Sequence, residues 1–277
     1  MHAPENLASP GPTCNTIPRK RAQERSVSPF EVEVLLPVHN EGESIEATIR
    51  GIYGELSEVT QTGFIVCEDG SKDNSKQVLT DLAQQLPIRL NLSNARKGYS
   101  KAMLEGMEML QADYLLCLDS DGQCDPRDFA AFWRARDRAD IVIGWRTERA
   151  DPLVRRIFSR FFFLFYQAVF NIPVHDPSCP YVLMRKGAAK HMAKELGSMR
   201  EGFWWEFVAR AYRRGFTLCE LPVHHRLRSA GVTQVYKWRK MPGIFFRHLA
   251  ALGTIWKQTR SSRPIRAATV RTPTPVR

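Results

Sequence analysis

Between residues 32 and 146, short apolar runs alternate with segments of helical period, and most of the runs close on a polar cluster. Val32-Glu33-Val34-Leu35-Leu36-Pro37 reads as a strand, as do Phe64-Ile65-Val66-Cys67, Ile88-Arg89-Leu90, residues 113–118 and Ile141-Val142-Ile143-Gly144. Residues 42–57 place Ile45, Ile49, Ile52 and Leu56 on one helical face. Residues 73–86 do the same with Val78, Leu79, Leu82 and Leu86, and further helices are expected over 98–110 and 126–138. This alternation specifies an α/β fold: a mostly parallel sheet wound by right-handed crossovers, with helices on both faces. Ligands of such sheets sit beyond the carboxyl ends of the strands. The clusters His39-Asn40-Glu41, Glu68-Asp69-Gly70-Ser71, Asp119 to Gln123 and Gly144-Trp145-Arg146 all follow strands in that way.

The sharpest cluster is Asp119-Ser120-Asp121-Gly122-Gln123, directly after the apolar run Tyr114 to Leu118. Two carboxylates at the end of a buried strand are costly without a positive partner. A divalent cation is the usual one, and Mg2+ or Mn2+ with oxygen ligands normally brings a phosphorylated substrate. Asp119, Asp121 and Gln123 are therefore candidate metal ligands. Taken alone the pattern is equally a solvated Asp-rich turn; the other clusters at the same edge decide for a site.

The 277 residues suffice for one large domain, and 43% hydrophobic with 25% charged residues is ordinary for a globular chain. The formal charge of +11 is not ordinary. It suits nucleic acid, anionic lipid or a phosphorylated substrate. Much of it lies in tails, 1–28 and 258–277, whose composition predicts disorder. No basic stripe with interleaved aromatics crosses the fold, so no nucleic-acid partner is expected. The six cysteines form no C-x-x-C pair and read as reduced thiols. No signal peptide is visible, and no run approaches the roughly 20 apolar residues of a membrane span.

Leu36-Pro37-Val38-His39-Asn40-Glu41, then Glu68 to Ser75, then Asn94 to Gly98, then Asp119-x-Asp121-x-Gln123 resemble the ordered motifs of glycosyltransferase family 2. The most similar subgroup is that of dolichyl-phosphate mannosyltransferase-like, polyprenyl-phosphate sugar transferases. The resemblance covers about residues 31–257. It implies a GT-A, Rossmann-like fold over 29–257, with a nucleotide-binding half (29–150) and an acceptor half (151–257). It also implies an enzyme moving a hexose from a nucleoside diphosphate sugar, of GDP-mannose or UDP-glucose type, to a polyprenyl phosphate with inversion. Three positions depart from the pattern: Glu68 stands for an aspartate, Arg96 for a glycine, and Gln234 for a lysine.

On this reading Asp121 and the metal neutralise the leaving diphosphate. Pro37, Asn40, Glu41 and Asp69 line the nucleoside pocket, with Asp69 on the base, and Asp119 and Ser120 complete the donor site. Lys97 and Gly98 open a helix suited to phosphate. Arg146 grips the diphosphate or an anionic acceptor, and Arg228 does so from a loop near Gly231. Asp176 stands near the acceptor. A hydroxyl acceptor needs it as general base, whereas a phosphate, with its second pKa about 6, does not. Glu206 on an apolar helix calls for a partner, and Arg210 at i+4 is in reach. His224 and His225 are expected as supporting groups.

Residues 155–170, with five phenylalanines between 158 and 165 among three arginines, and residues 237–257 each suit an interfacial helix on an anionic bilayer. Core or dimer packing is the alternative, and a homo-oligomer stays open. The expected location is cytoplasmic, peripheral on the inner face of the membrane. The competing readings are a soluble hydroxyl acceptor, a sugar-phosphate nucleotidyltransferase, and a non-catalytic module binding anionic lipid or nucleic acid. The nucleotidyltransferase is disfavoured because no Gly-rich basic loop follows the first strand.

Overall fold

The computed structural model describes residues 13–14, 28–147, 153–199, 202–226 and 241–260. Eight strands form one sheet: β1 (Thr13–Cys14), β2 (Val32–Val38), β3 (Thr62–Glu68), β4 (Ile88–Leu92), β5 (Tyr114–Cys117), β6 (Ile141–Arg146), β7 (Val182–Arg185) and β8 (Leu218–Val223). Their spatial order is β1-β8-β6-β7-β5-β2-β3-β4. The strands β4, β3, β2 and β5 are parallel neighbours, and β6 is parallel to β8. β7 runs against both β5 and β6, and β1 against β8.

The helices are α1 (Ile45–Ser57), α2 (Ser75–Leu82), α3 (Tyr99–Met109), α4 (Phe129–Ala135), α5 (Leu153–Phe170), α6 (Lys186–Glu195), α7 (Phe203–Arg213) and α8 (Met241–Thr259). The period-2 side chains of β2 sort them. Val32, Val34, Leu36 and Val38 join a core with α1, α2 and α4 on one face. Leu35, Ile65, Leu115 and Ile143 join a second core with α3, α5, α6, α7 and α8 on the other. The expected face of α1, Ile45, Ile49, Ile52 and Leu56, is buried as the period requires. The 126–138 helix is shorter than expected. Asp125 caps a 3-10 turn at Pro126–Asp128, and α4 starts only at Phe129.

Two expectations need correction. Within the front tail, Thr13–Cys14 forms a strand against β8, and the rest of both tails lies outside the described residues apart from Ser28 and residues 258–260 at the end of α8. Cys219 is disulfide-bonded, whereas Cys67, Cys117, Cys124 and Cys179 are free thiols. Antiparallel pairing sets Cys14 directly opposite Cys219, a juxtaposition that spacing along the chain does not reveal.

The direction of β7 shapes the site. A strand that runs against its neighbours presents its first residues where they present their last. Val182 opens β7 beside Cys117, near the end of β5. The segment before β7, carrying Asp176 and Ser178, therefore lies at the carboxyl edge of the sheet.

Candidate active site

Asp119 and Asp121 follow β5, both half-buried. Gly122, at φ 72°, turns the chain so that the Gln123 N–H donates to Asp121 Oδ1 at 3.1 Å. Asp119 Oδ1 accepts from the Tyr99 hydroxyl at 3.0 Å, and Trp204 Nε1 donates to that hydroxyl at 2.8 Å. Burial, and after it the charge of Asp119, push the Tyr99 hydroxyl well above its ordinary pKa, so it stays a protonated donor. Ser120 is buried between the two aspartates.

The turn is zipped to the chain beyond β8. Arg226 N–H donates to Gln123 O at 2.8 Å, Gln123 Nε2 donates to Arg226 O at 3.2 Å, and Cys124 bridges His225. Asp125 anchors this contact at 2% exposure, with Arg127 at 2.6 Å and Arg226 at 2.7 Å. The Arg127 guanidinium, with Arg226 beside it, holds the Asp125 carboxyl well below the usual carboxylate range. His224 is exposed and pairs with Asp128, away from the turn.

Asp119, Asp121 and Gln123 thus offer carboxylate and amide oxygens from one turn. Asp119 accepts from a neutral phenol and Asp121 from a backbone N–H. That hard-oxygen donor set fits Mg2+ or Mn2+ completed by substrate phosphates and water. It is not a protein-only cage: among the described residues no three His, Cys, Asp or Glu side chains converge for a metal.

Arg146 closes β6 and meets Asp176 as a fork. Nε donates at 2.8 Å and Nη2 at 3.1 Å, and Nη2 also reaches Ser178 Oγ at 2.7 Å. Burial lowers the Arg146 pKa, but Asp176 more than offsets it, so the guanidinium is a permanent cation. β5 and β6 run in the same direction, so Asp119 and Arg146 stand at the same edge of the sheet, and the Asp119 charge also acts on the guanidinium. Glu220 on β8 supports the fork by accepting the N–H groups of His175 at 2.9 Å and Asp176 at 3.0 Å. Burial raises the Glu220 carboxyl against those N–H groups. Asp176 meets Arg146 with both carboxylate oxygens and also accepts from the Ser178 hydroxyl at 2.8 Å.

The nucleoside side is built from β2 and β3. Asn40, at φ 56°, accepts the Lys72 N–H at 2.8 Å and donates its own N–H to Ser71 Oγ at 2.9 Å. Glu41 donates its N–H to Ser75 Oγ at 3.0 Å and accepts from Ser44, so it organises the start of α1. Pro37 is the half-buried residue of β2, in register with Cys67. Asp69 spends both carboxylate oxygens on the N–H groups of Lys97 and Gly98, the latter at 2.9 Å. Its visible work is to tie the end of β3 to the loop before α3. Gly70, at φ 63°, is where that loop comes closest: a Cβ there would lie 2.4 Å from the Ala95 carbonyl carbon. Lys97 pairs with Glu105 along α3, and Asn91 donates to the same carboxylate at 2.8 Å. Glu68 is buried, accepts the Ser71 N–H and lies 3.7 Å from Lys76.

The structure therefore gathers Asp119, Ser120, Asp121, Gln123, Arg146 and Asp176 at one edge, with Asn40, Glu41, Asp69, Lys97 and Gly98 on the adjoining loops. Arg228 and Gln234 lie outside the described residues. Tyr99, Trp204, Asp125 and Glu220 escaped the sequence reading. Asp125-Pro126 carried a capping signal, and Glu220 was a charge inside a strand; the two aromatics carried none.

The sequence profile of glycosyl transferase family 2 matches residues 33–192. The undecaprenyl-phosphate 4-deoxy-4-formamido-L-arabinose transferase of Yersinia enterocolitica serotype O:8 / biotype 1B is 26% identical over 229 residues, 81% of this chain and 68% of that protein. Among solved structures, glucosyl-3-phosphoglycerate synthase from Mycobacterium tuberculosis with uridine diphosphate aligns at a TM-score of 0.60 and 14% identity, covering 83% of this chain and 81% of that one. The same synthase with Mn2+, uridine-diphosphate-glucose and phosphoglyceric acid gives 0.59 and 15%, covering 83% and 80%. Staphylococcus aureus TarS 1-349 gives 0.55 and 14%, covering 81% and 65%. At these identities the likeness is one of fold, and the fold is GT-A.

Proposed function

The chain belongs to glycosyl transferase family 2 and is a glycosyltransferase, and from that premise we propose that it moves a hexose from a nucleoside diphosphate sugar to a polyprenyl phosphate. The observation that carries this is the Asp119–Gln123 turn set beside the Arg146–Asp176 fork. A divalent cation at Asp119, Asp121 and Gln123 would neutralise charge on the departing diphosphate. Arg146, fixed and always charged, would stabilise the same charge or the incoming phosphate. The acceptor oxygen forms the new bond to the anomeric carbon as the bond to the diphosphate breaks.

The fork also bears on the acceptor. A hydroxyl would need a base, and Asp176 is committed to Arg146. A phosphate monoester is already an anion near neutrality, with its second pKa about 6. The geometry thus supports a phosphate acceptor over a soluble hydroxyl. The name of the Yersinia relatives supports a lipid phosphate.

A lipid acceptor needs a way to the bilayer. No helix among the described residues is long and apolar enough to cross a membrane. On α5, however, Phe161, Leu164 and Phe165 are exposed, Phe161 at 64%, next to exposed Arg160. On α8, Trp256 is exposed under Arg260. Apolar side chains beside cations suit peripheral contact with an anionic leaflet.

The test is a transfer assay with Mn2+ or Mg2+, offering GDP-mannose, UDP-glucose and related donors with a short-chain polyprenyl phosphate. Wild type should yield a lipid-linked sugar, and Asp121→Asn should yield none while still folding. Donor hydrolysis without lipid product would replace the acceptor. Absence of any donor binding would sink the catalytic reading.

A further inference from the structure

We propose that Tyr99 is a positioning residue for the metal carboxylate, and that Trp204, from the acceptor half, fixes the direction of its proton. The proposal rests on the metal reading given above. An indole N–H can only donate, and a tyrosine hydroxyl carries one proton. Trp204 Nε1 donates to the Tyr99 oxygen at 2.8 Å, so the Tyr99 proton is left for Asp119 Oδ1 at 3.0 Å. The chain Trp204 to Tyr99 to Asp119 therefore runs one way and ends on a carboxylate lone pair.

Each link is held by packing. The Tyr99 ring meets Phe203 edge-on at 5.9 Å. Trp204 meets Phe203 at 5.0 Å and Phe207 at 5.4 Å, and is 6% exposed. The base of α7 is fixed in turn. Glu206 accepts the N–H groups of Ser198 at 3.1 Å and Met199 at 2.7 Å, and pairs with Arg210 at 2.8 Å. Ser100, next to Tyr99, donates to Met199 O at 3.1 Å. The start of α3 is thus clasped by the segment that leads into α7. A carboxylate that must serve a cation gains from such support, because its rotamer is set before the ion arrives. The phenol, being neutral, adds no positive charge of its own to the carboxylate.

This role separates from a structural one by what the variants change. Tyr99→Phe keeps the ring and its contact with Phe203 and removes only the hydroxyl. Trp204→Phe keeps the hydroxyl and removes what directs its proton. Free Mn2+ would be followed by electron paramagnetic resonance during titration of the full chain with UDP or GDP, whichever wild type retains. Nucleotide affinity in EDTA and thermal unfolding would be measured alongside. We expect Tyr99→Phe to weaken Mn2+ by about 10- to 100-fold, the usual cost of losing an outer-shell partner. Trp204→Phe should shift it in the same direction by less. Metal-free nucleotide affinity should not move, and kcat should recover at saturating Mn2+. If both variants bind Mn2+ like wild type while Asp119→Asn loses it, the positioning role is overturned and the metal reading survives. If wild type binds no Mn2+, both fall together. A Tyr99→Phe chain that fails to fold passes the decision to Trp204→Phe, whose unchanged Mn2+ affinity would overturn the proposal.

Discussion

Arg146 and Asp176 show what one pair of residues can decide. On the function proposed above, their fork makes Asp176 a support and leaves the guanidinium as the active member. Lysine cannot make the fork. Arg146→Lys should therefore cut kcat in the transfer assay by about 100-fold, the scale for losing one charge-stabilising donor. Glu206 is the opposite case. Its pairing with Arg210 was readable from the i,i+4 spacing, and the structure finds it at 2.8 Å with both side chains buried. It also holds the N–H groups of Ser198 and Met199, so its work is to keep α7 in place. Glu206→Ala strands a buried guanidinium and should cost about 3–5 kcal/mol in denaturant unfolding. Asp69 and Lys97 mark the limit of such reading. Sequence placed them at the correct edge, but backbone N–H groups for one and Glu105 for the other lay within reach, and only coordinates show which partner a rotamer takes.

At the scale of elements, the helices and parallel strands of the first half were legible because their periods are strong and local. The direction of β7 was not, since Val182–Arg185 is a short apolar run that reads the same both ways. The zipper between the Asp121 turn and the end of β8 was equally hidden, because Asp125 and Arg226 meet only in space. That zipper has a pH signature. The folded Asp125 carboxyl lies below its unfolded value, so its stabilisation is complete above the ordinary aspartate range, about pH 4, and is lost as pH falls through the lower folded value. The difference in unfolding midpoint between wild type and Asp125→Asn should be constant from pH 7 to about 5 and shrink on further acidification. On α5 the exposed Phe161 and Phe165 should matter to membranes and not to folding. Replacing both by serine should weaken co-sedimentation with anionic vesicles by about 10-fold or more, given the apolar area withdrawn, and leave thermal unfolding nearly unchanged.

Across the whole molecule, the α/β class and the location of the site at one sheet edge follow from where polar clusters stand relative to apolar runs. What the sequence did not show was how the stretches before and after residue 150 share the sheet. The strand β7, from beyond residue 150, lies between β5 and β6, which both precede it in the chain. The two stretches are therefore interleaved, not joined end to end. A truncated chain stopping near residue 150 would keep every donor-side cluster and still lose its integrity. β5 would offer an open row of N–H and C=O groups, and β6 would have neither neighbour. Unpaired edges of that kind recruit other chains. Such a fragment should be recovered as aggregate and not as a small nucleotide-binding protein. Any recombination that trades acceptor specificity between relatives must carry β7 with its partners, because the inserted strand makes the fold indivisible at the point where the two activities meet.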